Sequence, residues 1–295
     1  MENRYLRLEW RPELERPVLI AAFTGWNDAA DAASVALGAL ASSWEVRRFG
    51  SFDGEEFFDY GTTRPQIKLT DGVTRTIEWP ENVVSATAPR VEAAGGRGVV
   101  LLSGPEPNFR WRSFSGAVAE LAKKLGVELV VTMGALLADV PHSRPVAVSA
   151  NSQDPALVES LGLSASRYEG PTGITGVLHR ACAEAGLPSV SFWASVPHYL
   201  PAVPSAPAAL ALLDGLSTLL GVAVDTSDLE QTAATYQEQV SVAVSRDEDL
   251  ASYVRMLEER FDSYADQESR DLPSGDELAL ELESFLRQQR REEES

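Results

Sequence analysis

The sequence predicts an α/β fold, a three-layer sandwich with a mixed, mostly parallel central sheet, followed by an acidic C-terminal helical extension. Short continuous apolar runs, such as residues 17–23, are typical of strands buried on both faces. These runs alternate with helix-length apolar patterns, and 44% of the 295 residues are hydrophobic, which is ample for a core. We expect a core domain over residues 1–225 and acidic helices over 226–295, with a frayed tail over 290–295.

The first predicted strand, residues 17–23, leads into a loop that carries Trp26, Asn27 and Asp28. Asn27 or Asp28 can cap the alanine-rich helix that follows and runs to about residue 43. In an open α/β sheet, the loop after a strand is also where ligands usually bind. The loop is therefore either part of a ligand site or a capped helix start beside a packing tryptophan.

The next segment combines a strand, an aromatic stretch and a hairpin. Residues 45–50 resemble a strand, and the aromatic, acidic residues 51–63 could form either a local cluster or a subunit contact. An Asp-Gly pair between residues 66–70 and 73–78 is a strong β-hairpin signal. We take this hairpin as the reason to expect a mixed rather than a purely parallel sheet.

Further buried strands end in loops with polar and aromatic side chains. The strand over residues 99–102 precedes a proline-stiffened loop in which Glu106 could pair with Arg110, and Trp111 could stack on Arg112 or a ligand. Strands over 129–133 and 190–196 end in loops that contain Asp139, His142, Arg144, His198 and Tyr199. The remaining predicted elements are helices over 113–125, 156–161 and 206–220 and a strand over 146–149.

A turn rich in glycine and threonine precedes the helix that runs to about residue 185. Thr172 could cap this helix, and main-chain N–H groups that the glycines leave uncovered could cradle an anion. The glycine spacing matches neither the P-loop nor the dinucleotide fingerprint. The other interpretation is that the turn is only a tight connection between a strand and a helix.

Composition limits the classes of function. The net charge of −19 disfavours nucleic acid as a partner, and no apolar run is suited to spanning a membrane. The single cysteine, Cys182, cannot form a disulfide within the chain, which favours a reducing cytoplasm, and no secretory signal is apparent. The three histidines lack metal-ligand spacing and no GxSxG motif occurs, so no metal or cofactor is predicted. Acid–base chemistry by His142 or His198 stays open.

The C-terminal part differs in charge and pattern from the rest. From Asp228 to Ser295 there are 19 acidic and 7 basic residues, a net charge of −12. Apolar residues at helical spacing predict two helices, and a capping box predicts a third over 277–289. These helices form either a hairpin folded on its own core or an arm for another subunit or partner. The apolar positions are Leu229, Ala233, Tyr236, Val240 and Ala243, then Leu250, Val254, Leu257, Phe261 and Tyr264.

Five segments, taken in order, resemble the bacterial branch of the proteasome assembly chaperone 2 family. They are Gly25–Asp28, Gly104–Pro107, Pro141–Pro145, Tyr168–Gly173 and Pro197–Tyr199. The resemblance covers residues 10–225 and implies a fold like that of nucleoside phosphorylases and hydrolases, self-association in the cytoplasm and no established catalytic residues. Some relatives dock on the proteasome by a C-terminal hydrophobic-Tyr-any tail. This chain ends in Glu-Glu-Glu-Ser and departs from that pattern.

Two functional hypotheses follow. The first is a non-enzymatic, chaperone-like or scaffold protein that forms a homo-oligomer, for example a trimer, and takes proteasome subunits as partners. The alternative is an enzyme, hydrolase-like or phosphorylase-like, that acts on a small anionic or nucleoside-like substrate. For the enzyme, the candidate pocket comprises Trp26, Asn27, Asp28, Glu106, Arg110, Trp111, His142, Arg144, Glu169, Thr172, Gly173, Thr175, His198 and Tyr199. A third possibility is that this pocket is a vestige, kept rigid only because it shapes an oligomer contact.

Overall fold

The computed structural model describes residues 4–87, 95–162, 164–165 and 168–271. Its strands are β1 Leu6–Leu8, β2 Val18–Thr24, β3 Arg47–Phe52, β4 Gln66–Thr70, β5 Thr74–Glu78, β6 Val83–Ala86, β7 Val99–Pro105, β8 Leu129–Ala138, β9 Val148–Ser152, β10 Ser164–Ala165 and β11 Ser189–Pro197. Its helices are α1 Ala32–Ser43, α2 Gly54–Phe57, α3 Trp111–Leu125, α4 Pro155–Ser160, α5 Ile174–Glu184, α6 Ala206–Leu220, α7 Ser227–Ser245 and α8 Glu248–Asp271.

Nine strands form one mixed sheet in the order β1-β3-β6-β7-β2-β8-β11-β9-β10. The four strands β7, β2, β8 and β11 are mutually parallel and form its centre. Antiparallel pairing occurs at the flanks, through β1, β3 and β6 on one side and β9 on the other. The predicted mixed, mostly parallel sheet is therefore confirmed.

The predicted hairpin also forms, but it does not make the sheet mixed. Strands β4 and β5 pair only with each other in a separate two-stranded sheet. The mixed character comes instead from the flanking strands. Two of these, β1 and β6, were not predicted, because segments of three and four residues are too short for a pattern to define them.

Helices cover both faces of the sheet and complete the three-layer sandwich. Apolar side chains of α1 and α6 pack with Val18, Ile20 and Met133 on one face. Side chains of α3 and α5 pack with Leu19, Ala21 and Val130 on the other. Alternate residues of β2 thus enter opposite cores, which explains why its apolar run is continuous.

Strand β8 is longer than predicted. The sequence suggested an end at residue 133, but parallel pairing with β11 continues to the Pro197–Ala138 pair. Gly134 lies inside this extension, where an added Cβ would lie 2.8 Å from the Trp193 ring. Gly134, which suggested a loop, is instead a strand residue whose missing side chain leaves room for the Trp193 ring of the neighbouring strand.

The aromatic stretch after β3 forms a local cluster, one of the two possibilities that the sequence left open. Phe52 and Phe57 are buried, and their rings pack on Phe114 of α3 with centroid separations of 4.8 and 5.2 Å. Phe23 joins from β2 at 5.9 Å. The short helix α2 brings Phe57 into this cluster.

The C-terminal helices form over the residues predicted for the first two. The chain divides into two compact units, one that ends at Ser241 and one that begins at Val242. In the first unit, Tyr236 and Val240 of α7 are buried as predicted. Ala243 was predicted as the next residue of the apolar stripe, and this prediction was wrong. Ala243 is exposed, and Val244 is buried instead.

Within the second unit, Asp247 caps α8 by accepting a hydrogen bond from the Leu250 N–H at 3.0 Å. Val254 and Leu257 are buried, as the predicted stripe requires. The predicted helix over 277–289 lies outside the described residues. The boundary at 225–226 rests on charge composition and stays a prediction. Among the described helices, none combines the length and apolarity that crossing a bilayer requires.

Two phenylalanine substitutions test the aromatic cluster. Phe114→Ala should lower the free energy of unfolding by about 3–5 kcal/mol, because a fully buried ring is lost and a cavity is left among its neighbours. Phe109→Ala is the matched control, since that ring is 51% exposed, and it should change stability by less than about 0.5 kcal/mol. Urea denaturation measures both, and equal losses would contradict the cluster.

Candidate functional site

Loops from distant parts of the sequence meet at one edge of the sheet. Because β7, β2, β8 and β11 are parallel, their carboxyl ends share this edge, which we call the carboxyl edge. Strand β8 anchors two of the loops. The Ala135 N–H donates to the Asn27 carbonyl at 2.8 Å, and the Ala138 carbonyl accepts from the His198 N–H at 3.1 Å. These anchors are three residues apart on β8, about 10 Å along the strand.

One group of candidate residues, the Glu106 cluster, consists of Asn27, Glu106, Gly173 and Ile174. The Oε1 atom of Glu106 accepts hydrogen bonds from Asn27 Nδ2 at 2.7 Å and from the Ile174 N–H at 2.8 Å. Ile174 is the first residue of α5, so the carboxylate lies at the positive end of that helix, where negative charge is stabilised. A side chain from the loop after β7 therefore joins the loop after β2 to the start of α5.

The prediction that Thr172 caps α5 was wrong. Gly173 is the N-cap residue and supplies no side chain, while the Thr172 hydroxyl lies 3.5 Å from the Gly173 carbonyl oxygen. The cap comes from Glu106, which is 68 residues earlier in the chain. Sequence patterns describe local caps, so a cap from a distant segment leaves no local signal.

The packing around position 173 leaves no room for a side chain, so the residue must be glycine. A Cβ atom at this position would lie 2.1 Å from Asn27 Oδ1 and 2.6 Å from Glu106 Oε1. Asn27 is fully buried, so its amide has little freedom to move aside. Its Oδ1 atom has no hydrogen-bond partner among the described residues. The backbone of α5 thus packs directly on the two polar side chains.

Asp28 has a structural role at the start of α1. Its buried carboxylate accepts from the N–H groups of Ala33 at 2.7 Å and Ser34 at 3.2 Å. Burial raises the pKa of Asp28, and the hydrogen bonds from Ser34 and Ala33 oppose that rise. The intervening Ala30 and Asp31 have left-handed backbone angles, with φ of 50° and 53°. The Asp28 cap helps hold this strained turn in place.

A second group, the His142 cluster, connects two strand-end loops to α7. The Tyr199 hydroxyl lies 2.8 Å from the His142 backbone N–H and 2.9 Å from His142 Nδ1. His142 Nε2 lies 3.4 Å from the Ser241 hydroxyl, which donates to the Gln237 carbonyl at 2.7 Å. The contacts form one consistent series if Tyr199 donates to Nδ1 and a neutral imidazole donates from Nε2. Sequence reasoning missed Ser241, because only the fold brings α7 to this edge.

The His142 cluster borders a small cavity. The cavity has about 10 Å³ of internal space, room for about one water molecule, and Ser205 and Tyr236 contribute to its lining with His142. Outside it, the exposed His198 places Nδ1 3.3 Å from Asp139 Oδ1, and its ring packs edge-on against Tyr199. Tyr199 therefore contacts both histidines.

Arg110 and Trp111 contact residues other than those of the two clusters. The suggested Glu106–Arg110 pair does not form, because Arg110 pairs with Glu56 and Glu106 is held by Asn27. The Trp111 indole donates to the Pro107 carbonyl, which fixes the loop before α3. The candidate residues thus reach one edge of the sheet but are divided among separate sets of contacts.

The other candidate residues differ in exposure. Trp26 is 63% exposed beside the Glu106 cluster, and Glu169 and Thr172 are exposed in the turn before α5. Thr175 is buried, and its hydroxyl has no hydrogen-bond partner among the described residues. Arg144 is half-buried, with a weak contact of 3.4 Å to the Ser143 carbonyl.

Two further titratable groups lie on the buried side of α5. Burial raises the pKa of the Cys182 thiol to about 12, which makes it a poor nucleophile at neutral pH. Burial also lowers the pKa of His179, with a smaller contribution from Arg180. Within the described residues, no three His, Cys, Asp or Glu side chains are grouped so that they could hold a metal ion.

The model of the PAC2 family matches residues 22–244, which is most of the chain. This chain belongs to the PAC2 family. The resemblance carried by the five sequence segments is therefore confirmed. Among curated proteins, none matches the sequence.

Solved structures of similar proteins agree with this membership. A PAC2 family protein from Streptomyces avermitilis is 44% identical, with 81% of this chain and 99% of that chain covered and a TM-score of 0.74. A proteasome-assembly chaperone homologue from Mycobacterium tuberculosis is also 44% identical, with 80% and 99% covered and a TM-score of 0.73. An archaeal proteasome activator from Pyrococcus furiosus, 16% identical over 81% and 97% with a TM-score of 0.64, shares the fold alone.

A glycine substitution tests the packing of α5 in this PAC2 family protein. Gly173→Ala should lower the free energy of unfolding by about 1–3 kcal/mol, because its methyl group would overlap the Asn27 amide and the Glu106 carboxylate. Gly116→Ala in α3 is the control. It has open space around it and should be neutral or stabilise by up to about 1 kcal/mol. If thermal or urea unfolding showed equal effects, the close approach would be refuted.

Two substitutions at Glu106 separate its hydrogen bonds from its charge. Glu106→Ala should cost about 2–4 kcal/mol, because Asn27 Nδ2 and the Ile174 N–H lose their shared acceptor. Glu106→Gln keeps an acceptor oxygen and should cost less than about 1.5 kcal/mol, the part due to charge at the helix start. Urea unfolding of both variants gives these values. Equal losses would show that the charge, rather than the shared acceptor, is what matters.

Proposed function

We propose that this PAC2 family protein is a non-enzymatic, chaperone-like scaffold that self-associates and binds proteasome subunits in the cytoplasm. The observation that carries this proposal is the family membership, with 44% identity to a proteasome-assembly chaperone homologue over 99% of that chain. The similarity extends over nearly the whole length of that relative. It therefore supports the same class of role for the two proteins.

The arrangement at the carboxyl edge supports binding through an outer surface. Glu106, Asp28 and His142 are engaged in hydrogen bonds that join loops and helix ends to one another. Loops tied together in this way present a fixed surface, and a fixed surface lowers the ordering cost of binding a protein partner.

Large apolar side chains are exposed at the same edge. Trp26 follows β2, Leu136 and Leu137 lie near the end of β8, Phe109 follows β7, and Tyr168 precedes α5. Their exposed fractions range from 40% for Leu136 to 65% for Tyr168. Exposed aromatic and aliphatic residues are what the centres of protein interfaces contain. We therefore assign the carboxyl edge to partner binding.

The alternative, a small-molecule enzyme, has less support. Acid–base catalysis needs a carboxylate or an imidazole within reach of a substrate. Glu106 already accepts from two donors, and His142 already contacts Tyr199 and Ser241. The cavity beside His142 has room for about one water molecule, far less than a nucleoside needs.

Co-purification from the native host tests the proposal. Tagged chain should recover proteasome subunits, and Leu137→Glu should reduce their recovery at least about tenfold, because it places a charge in the apolar surface. Leu8→Glu is the matched control on β1. Its leucine is 52% exposed against 47% for Leu137, and it lies on an edge strand.

Three results would count against the scaffold role or against its placement at the carboxyl edge. They are a wild-type chain that recovers no proteasome subunits, equal recovery by the two glutamate variants, and a metabolite that raises the melting temperature of the purified chain. The last result would favour the enzyme alternative, since a ligand that binds the native state stabilises it.

A further inference from the structure

Strand β8 continues beyond the point at which one of its two neighbours leaves it. Pairing with β11 continues to Ala138. Pairing with β2 ends at Met133, and one further contact places Asp28 opposite Ala135. We call residues 136–138 the β8 extension. Among the described strands, only β11 pairs with it, so its other side is an open edge within the sheet.

The backbone of Leu137 faces this open side. Along a strand, residues whose N–H and C=O groups point to one neighbour alternate with residues that point to the other. The Ala138 carbonyl points to β11 and accepts from the His198 N–H at 3.1 Å. The Ala135 N–H points the other way and donates to the Asn27 carbonyl at 2.8 Å. Leu137 follows two residues later and points the same way as Ala135, but no described residue bonds to its N–H or C=O group.

The loop after β2 is fixed where it turns away from β8. Asn27 bonds to Glu106, and Asp28 caps α1. The Ala30 carbonyl accepts from the Ser205 N–H at 2.8 Å. Because these contacts hold the loop in its turn, it does not continue along β8. The Leu137 backbone groups are therefore open to another chain.

The side chains of the β8 extension are apolar on both faces of the sheet. Alternate residues of β8 enter opposite cores, so Leu136 lies on the face of α3 and α5 and Leu137 on the face of α1 and α6. The two leucines are 40% and 47% exposed. Exposed backbone groups and exposed apolar side chains thus occur together at this one place on a central strand.

We infer that an extended segment of a partner protein adds as a strand to the open side of the β8 extension. This inference rests on the partner binding in the proposed function and names how the partner is held. Main-chain hydrogen bonds with Leu137 would supply affinity, and the side chains of the segment would supply specificity. Because a leucine lies on each face, the matching segment is a short continuous apolar run rather than an alternating one.

Charge favours another protein over a second copy of this chain. Asp139 follows the β8 extension and has a side chain that is 61% exposed, and Asp31 is exposed in the turn that leaves β8. The chain carries −19, so a second copy would bring more negative charge to these carboxylates. A segment with Lys or Arg beside its apolar run would bring the opposite charge. The occupant that fits is an apolar strand flanked by basic residues.

The open edge is short, which suits a reversible contact. The three residues of the β8 extension span about 10 Å. Proteins limit unwanted strand pairing by keeping open edges short and by placing charges beside them, and Asp139 is such a charge. A contact of this size belongs with small, transient interfaces rather than with permanent ones.

Peptides selected on the purified full-length chain test the inference. The probe is a phage-displayed library of random peptides of about 12 residues, and enriched peptides should combine a short apolar run with Lys or Arg. Leu137→Pro should weaken their binding at least about tenfold, because it lacks the N–H group that faces the added strand. Leu137→Val is the matched control. It keeps the N–H group and an apolar side chain and should bind within about threefold of the wild type.

Two results of the selection would overturn the inference. They are a library that yields no binding peptide, and peptides that bind Leu137→Pro as tightly as Leu137→Val. Proline is tolerated where the N–H group points away from the neighbouring strand, so we expect Leu137→Pro to fold.

An N-methyl scan of an enriched peptide needs no variant of the chain. The N–H groups of an added strand face β8 only at alternate residues. One backbone N-methyl group, moved along the apolar run, should therefore weaken binding at least about tenfold at alternate positions and little at the others. Equal effects at successive positions would refute strand addition even if Leu137→Pro failed to fold.

Amide hydrogen exchange examines the open edge without a peptide. The Leu137 amide should exchange at least about 100-fold faster than the Leu136 amide, whose N–H group points to β11. Equal protection of the two amides would contradict the open edge. Selection, scan and exchange all use purified chain without proteasome subunits. A failure to recover proteasome subunits therefore leaves their outcomes unchanged.

Discussion

Parallel pairing of the four central strands is the constraint on which the rest of the structure depends. Strands buried on both faces must satisfy their backbone groups within the sheet, so polar loops can leave only at its edges. Parallel order brings the carboxyl ends of β7, β2, β8 and β11 to one edge, although they come from four different parts of the chain. The position of each polar loop follows from that register.

Hydrogen bonds then determine how those loops are held. Glu106 supplies the acceptor that the start of α5 lacks, and Asp28 does the same for α1. His142 and Tyr199 join two loops to α7. In each case a polar side chain that could have served catalysis completes a helix end or a loop contact. Such an edge presents a surface of fixed shape, and the proposed partner binding rests on that surface.

Much of the fold could be predicted because its signals are local. Helix α6 begins and ends where the apolar pattern indicates, the Asp-Gly pair marks the β4–β5 turn, and Asp28 caps α1. The misses have a common cause. Strands β1 and β6 are strands because neighbours pair with them, β8 is extended by β11, and Arg110 finds Glu56 rather than Glu106. For the candidate site, no local pattern indicated the hydrogen bonds between Glu106 and Ile174 or between His142 and Ser241, because these pairs are far apart in the chain.

The sequence by itself determined the α/β class, the order of most elements and the family resemblance, because periodicity, turn chemistry and short motifs are properties of consecutive residues. Only the tertiary structure decided that Gly173 packs on Asn27 and Glu106, that α7 reaches His142, and that the β4–β5 hairpin stands apart from the main sheet. These contacts join segments far apart in the chain. Their formation depends on strand register and helix packing, which no single stretch of sequence specifies.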